Sequence, residues 1–398
     1  MKSENFSQNL NRNGVTSMKK TNTISTLLFL TLATLTQAQN ANEQAGDLAA
    51  VYLNQPVPLV AGNAALVGAT LARPALLKGE VKTTVTGVPT FTAVGNNTFS
   101  SLNISLAIRT GHPDYPVGTT TAQMEAAPFS DDHYVIEFTS GPFCGLVKQV
   151  TAFGATGATG SDVTVAGALP TIDAGTRFVL RKDLTLGYLF GVGDTKIGDY
   201  SFLNKSGLQS GNSSGGADVV SVINSAGAWA KYFYRFGIGW KLTSDRSGSD
   251  RQHVRVSLGT GVLISPILSK TIGLSGEYRG TRSRVSLLNT VTIVGNPYPS
   301  ATTLANTDLA TYLTKSDRAT SSDQLRFLED GKFVNYYARA GAGATSPSGI
   351  AYMGFKPTLN KDATSVDSTK TIPAGGAVIV QRVGAVHDLA FQTQYLAQ

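Results

Sequence analysis

The chain has 398 residues, 41% of them hydrophobic and only 15% charged, with a formal net charge of +7. That balance excludes a disordered chain and is unlike a highly charged cytosolic enzyme. Cys144 is the one cysteine, so internal disulfides are excluded and stability must come from packed sheets.

In chain order, residues 1–38 read as a signal peptide. Lys19 and Lys20 form a basic start, residues 24–35 an apolar stretch, and Thr36-Gln37-Ala38 places small residues where a signal peptidase reads. The stretch is too short for a stable membrane span, and Met18 is an alternative start. The expected location is periplasmic or extracellular, with no transmembrane segment in the mature chain. Lys2, Arg12, Lys19 and Lys20 against Glu4 place much of the positive charge in this leader, and the rest is scattered. No nucleic-acid-binding motif is present.

Short apolar runs bounded by Gly, Asn, Asp and Ser then fill the chain, the pattern of an all-β protein. Residues 66–74 open a first β unit. An insert with its own rhythm of short strands follows, and the first unit resumes near 184. Within the insert, Glu137 alternates with apolar neighbours and reads as solvent-facing. Cys144 reads as a buried small hydrophobe. The run 154–160 reads as a loop tip, because it lacks the Lys-Ser/Thr pair and helix of a phosphate loop.

The resumed first unit presents a strand from Asp218, a tight turn and an aromatic strand to Tyr234, a β-hairpin by its turn chemistry. A strand from Asp323, the turn at Asp330-Gly331 and an aromatic strand to Tyr337 repeat it. The Gly-bounded run 259–264 recurs at 374–380, and 293–300 matches 66–74. The basic run 278–284 reads as a solvated loop. Residues 301–313 are expected to form a helix capped by Thr302 or Thr303, with Leu304, Leu309, Ala310 and Leu313 on one face.

The expected architecture is therefore all-β, with duplicated sandwich or barrel-like units and a small barrel-like domain inserted in the first. The expected boundaries are 1–38 for the signal peptide, 39–77 with 184–266 for the split first unit, 78–183 for the insert, and 267–398 for the second unit. An outer-membrane barrel needs many ten-residue strands with an apolar outer band, and the chain does not sustain them.

Residues for chemistry are sparse. His112, His133, His253 and His387 show no metal-ligand spacing. Asp131-Asp132-His133 is the best local cluster for a general base or a metal; it also reads as a polar turn entering a strand. No nucleophile elbow or zinc-protease motif appears. No catalytic residue, cofactor or metal ligand is expected. The positive feature is aromatic: Trp229, Tyr232, Tyr234, Trp240 and Tyr336 are candidates to stack sugar rings. Consecutive aromatics point to opposite faces, so half of them belong to the core.

Taken together, Leu59-Val60-Ala61-Gly62-Asn63, Ala72-Arg73-Pro74-Ala75 and Lys78-Gly79-Glu80-Val81 form a signature. So do Phe138-Thr139-Ser140-Gly141-Pro142 with Gly175-Thr176-Arg177-Phe178, and the two aromatic hairpins. By these, residues 50–385 resemble an uncharacterised family of exported, β-rich bacterial proteins. The turn Asn296-Pro297-Tyr298-Pro299 also resembles one in other surface β-proteins. The resemblance implies a secreted or surface location and no established activity. The expected function is a non-catalytic structural or adhesive protein of the envelope or extracellular matrix. Its partners would be polysaccharide or envelope components, or further copies of itself. A carbohydrate-binding module is the alternative, and an exported hydrolase with a non-local site the second alternative.

Overall fold

Two antiparallel sheets wired in the same order organise the chain. The structure, a computed structural model, describes residues 52–94, 134–157, 160–224, 227–279, 283–287, 290–298, 300–307, 309–341, 352–360, 362–383 and 387–391. The expected signal peptide lies outside them.

In chain order, β1 (Tyr52–Leu59) and β2 (Ala65–Gly68) come first. Then come β3 (Ala75–Glu80), β4 (Thr90–Val94), β5 (Tyr134–Phe138), β6 (Val147–Gly157), β7 (Gly160–Val165) and β8 (Arg177–Lys182). Next are β9 (Leu184–Thr185), the short helix α1 (Leu186–Phe190), β10 (Asp194–Ile197), β11 (Tyr200–Leu203) and β12 (Gln209–Ser210). They lead into β13 (Val219–Ile223), β14 (Trp229–Arg235), β15 (Gly239–Leu242), β16 (Arg255–Val256), β17 (Gly261–Ser265) and β18 (Lys270–Glu277). The remainder comprises β19 (Ser283–Leu287), β20 (Val291–Gly295), β21 (Thr302–Thr303), the single-turn helix α2 (Leu309–Tyr312), β22 (Gln324–Glu329), β23 (Lys332–Ala340), β24 (Tyr352–Pro357), β25 (Thr371–Ile372), β26 (Ala377–Gln381) and β27 (His387–Phe391).

One sheet runs β15-β14-β13-β17-β2 and the other β24-β23-β22-β26-β20. The registers agree as well as the orders. Tyr232, Phe233 and Tyr234 face Leu242, Lys241 and Trp240, as Tyr336, Tyr337 and Ala338 face Pro357, Lys356 and Phe355. Val262 faces Val67 as Val378 faces Val294. The duplication legible in the sequence is thus a duplication of topology. Its turns differ: Asp330-Gly331 is a two-residue turn with both φ positive, the geometry that suits a right-twisted hairpin. The first copy uses a longer turn, held by the Asn224 side chain accepting from Ala228 N at 3.0 Å.

Matched residue for residue, the two sheets meet about a pseudo-twofold axis. Gly68 N donates to Gly375 O at 2.8 Å, and its counterpart Gly295 N donates to Gly259 O at 3.0 Å. The bridges Val67–Gly376 and Thr260–Val294 are likewise reciprocal. A small core seals this contact from Leu66 and Leu263 of one sheet and Ile293 and Ile379 of the other. Gly68 and Gly295 lie against each other here. A Cβ on Gly68 would stand 2.8 Å from Gly376 O, and one on Gly295 2.6 Å from Thr260 O. Only glycine fits this approach.

Each sheet has its own core on the other face, built around Val220, Tyr234, Trp240 and Ile264 in the first copy and Leu325, Phe327, Phe355 and Val380 in the second. Both outer edge strands are closed by an aspartate. Asp250 accepts from Trp240 N at 2.9 Å, and Asp367 from Phe355 N at 2.7 Å. Lys241 and Lys356 then donate to Gly248 O and Ala363 O, both at 2.6 Å. An edge N–H engaged in this way is not available to a pairing strand.

The chain leaves the first copy at β3 and returns at β9. Between them lies a six-stranded sheet, β3-β8-β5-β6-β7-β4. It curls until its ends meet at the Val81–Ala93 bridge, with Lys82 N on Thr92 O at 2.8 Å. Phe91, Phe138 and Phe178 fill it, with Phe91 edge-on to Phe178 at 5.2 Å. The fold is all-β, two related sandwich-like units with a barrel-like sheet inserted among them.

The helix expected over 301–313 is corrected. Thr302 and Thr303 pair with Ile372 and Thr371, Leu304–Asn306 is a 3-10 turn, and α-helix covers only Leu309–Tyr312. Leu304, Leu309 and Leu313 are all buried in the second core. Strand pairing claims the residues that would have started the helix.

Candidate functional site

The predicted aromatics divide. Tyr232, Tyr234 and Trp240 belong to the first core. Trp240 Nε1 donates to Gly191 O at 2.9 Å, and its ring meets Tyr234 edge-on at 5.8 Å. Tyr336 is buried in the second core, edge-on to Phe327 at 5.7 Å. Trp229 alone of the five is exposed, at 40%. Its counterpart in the second copy, Phe333, is exposed at 46%. The middle residues of the aromatic strands, Phe233 and Tyr337, are buried as well. Both faces of these strands are therefore covered, except where the hairpins approach their turns.

The fully buried carboxylates among the described residues are Glu137, Asp183, Asp218 and Asp323, and each is paired with a cation. Asp218 accepts from Gln209 N at 2.7 Å and Ile267 N at 3.0 Å, and pairs with Lys270. Asp323 accepts from Thr314 N at 2.9 Å and Val383 N at 2.7 Å, and pairs with Arg382 at 3.2 Å. The main-chain donors Ile267 N and Val383 N are equivalent in the two copies, so this strut is built twice, but with its cation at different positions: Lys270 follows Ile267 by three residues and Arg382 immediately precedes Val383. Asp183 pairs with Arg255. The sequence signal for the struts was an aspartate immediately before the same strand of each copy; the partners lie too far along the chain to be read.

Glu137 corrects two expectations. It is buried, not solvent-facing, and holds Arg181 Nε at 3.0 Å and Arg279 Nε at 2.6 Å. Arg279 belongs to the basic run that reads as a solvated loop; it is buried too, and also donates to Ser283 Oγ and Gly145 O at 3.1 and 3.2 Å. Arg181 reaches Glu277 at 2.8 Å and Arg73 O at 2.7 Å. This network welds the inserted sheet to β18 and the entry of the second copy. Burial by itself pushes the Glu137 carboxyl up, but the two guanidiniums outweigh it and hold it below its ordinary range. Cys144 is half-buried.

Another charged cluster surrounds Tyr188, whose ring centroid lies 4.2 Å from the Arg73 guanidinium and 3.7 Å from the Lys205 ammonium. Burial and then the Arg73 charge push Lys205 down to about 8. Asp131, Asp132 and His133 lie outside the described residues. Among those described, no group of three His, Cys, Asp or Glu side chains is arranged to hold a metal ion. No described helix is long and apolar enough to cross a membrane.

Where the inserted sheet meets both copies, a cleft of about 680 Å³ opens. β6 supplies Val147, Lys148 and Gln149; the first copy supplies Val222, Tyr232 and the segment 254–258; the second supplies Arg284, Val285 and Ile293. Arg255 is oriented by Asp183 and by Gln149 Oε1 at 2.5 Å. Arg284 is pinned by Pro142 O at 2.6 Å and Cys144 O at 3.2 Å, over the Phe143 ring at 5.2 Å.

Compared with known proteins, the chain matches no family model, no curated protein and no solved structure. Of the resemblance read from its motifs, the structure shows the strand-rich, all-β fold.

Proposed function

We propose that this chain is a non-catalytic structural or adhesive protein, exported to the cell envelope or extracellular matrix. One observation carries the reading: every fully buried carboxylate described is neutralised by a cation, and two of the four, Asp218 and Asp323, clamp equivalent main-chain N–H groups in the two copies. Acid–base catalysis needs a carboxylate free to exchange a proton with substrate. These are engaged in holding strands together. The leader supports export, and the closed sheet edges suit a protein that stays soluble among its neighbours.

Co-sedimentation of the full chain with cell envelopes and with insoluble polysaccharides tests this. Pelleting with envelopes is the expected result. A chain that stays in the supernatant throughout and turns over a polymer would overturn it.

A second reading, carbohydrate binding, is favoured by one fact: Trp229 and Phe333 are exposed at equivalent positions of the two hairpins. It predicts glycan-dependent quenching of Trp229 fluorescence that Trp229→Phe removes.

A further inference from the structure

We propose that the cleft between the inserted sheet and the two copies binds a single-chain amphiphile with an anionic head group, such as a long-chain carboxylate. Its volume of about 680 Å³ falls within the ~300–1,000 Å³ of small-molecule sites. The floor is apolar, formed by Val222, Tyr232, Val256, Leu258, Val285 and Ile293. Among the described residues, the charged side chains on its walls are Lys148, Arg255 and Arg284, and none is a carboxylate.

The three cations are not alike. The charge of Arg255 is balanced from beneath by the buried Asp183. Arg284 forms no ion pair with a described residue. It donates through Nε and one Nη to main-chain carbonyls, which orient a guanidinium without neutralising it. Its Nη1 group donates to none of the described residues. A fixed guanidinium that meets no described carboxylate, beside an apolar trough, suits a carboxylate head group, with the alkyl chain lying along the floor. A cationic amphiphile of the same length would meet like charge instead.

Isothermal titration of the full chain with laurate, below its micelle concentration, tests the assignment. Two variants locate the site. Arg284→Met removes the head-group contact, and Ala166→Trp puts a large ring at an exposed position on the cleft wall. Saturable laurate binding, weakened about tenfold or more by each variant, is the expected result: Arg284→Met loses a charged hydrogen bond of about 1.5–3 kcal/mol, and Ala166→Trp fills space the alkyl chain needs. Dodecyltrimethylammonium should not compete. Should Arg284→Met fail to fold, Ala166→Trp decides alone. Absence of saturable binding, equal binding of the cationic amphiphile, or laurate affinity untouched by the folded variants would overturn the proposal.

Discussion

Alanine at Gly68 or Gly295 should force the two copies apart at their pseudo-twofold axis. A Cβ on Gly68 would stand 2.8 Å from Gly376 O and 3.1 Å from Gly295 Cα; one on Gly295 would stand 2.6 Å from Thr260 O and 2.9 Å from Gly68 Cα. Comfortable contact begins near ~3.5 Å, so the sheets must separate by roughly half an ångström or more. Overpacking costs about 1–3 kcal/mol, and the obstacles here are backbone atoms that cannot rotate away. The reciprocal bonds from Gly68 N and Gly295 N stretch in the same movement, at about 1 kcal/mol each. Each substitution should therefore cost about 3 kcal/mol. Because one separation relieves both clashes, the double variant should cost less than the sum, by about 1–2 kcal/mol. Urea unfolding followed by emission of the buried Trp240 measures this. Gly341→Ala is the control, since a Cβ there meets nothing within 4 Å. Single variants within about 0.5 kcal/mol of wild type, or strictly additive losses, would refute the reasoning.

Glu137→Gln should destabilise by about 3–5 kcal/mol, because it leaves the buried Arg279 without its counter-charge and Arg181 with Glu277 alone. The folded pKa of Glu137 lies below its ordinary 4.5, so its contribution is present above that value and lost as pH falls through the folded one. Melting temperatures measured from pH 7 downward should thus fall more steeply below about 4.5 in wild type than in the variant. Asn296→Ala should cost about 3 kcal/mol in chemical denaturation, since Nδ2 donates to Ser300 O, Ile372 O and Pro373 O while Oδ1 accepts from Tyr298 N. Trp240→Ala should cost about 3–5 kcal/mol. Trp229→Ala and Phe333→Ala, at half-exposed positions, should each stay within about 1 kcal/mol in the same assay.

Much of the fold was legible because its signals are local. The Gly-bounded strands and the aromatic hairpins recur in sequence, and they recur in the sheets with one register. What could not be read depends on partners far along the chain. Glu137 looked solvent-facing because alternation reports which face a residue occupies, not what covers that face. Its cover includes Arg279, 142 residues away. Tyr232, Phe233 and Tyr234 are all buried for the same reason. The overextended helix at 301–313 shows apolar spacing overruled by pairing: Thr302 and Thr303 join β25 before a helix can use them. The cleft had no sequence signal, since its walls come from three separate stretches.

The inserted sheet also bears on how the chain finds its fold. In the second copy, β20 and its partner β26 are joined by a span of ordinary length. In the first, β2 must find β17 across the whole insert. Yet β3 pairs with β8, setting Ala75 opposite Arg181. Once that pair forms, the ends of the insert are neighbours, and the remaining search from β2 to β17 is about as short as its counterpart. Closing a loop costs entropy that grows with its length. A strand pair that ties off the detour thus turns a distant meeting into a local one, and the interrupted copy need not assemble more slowly than the continuous one.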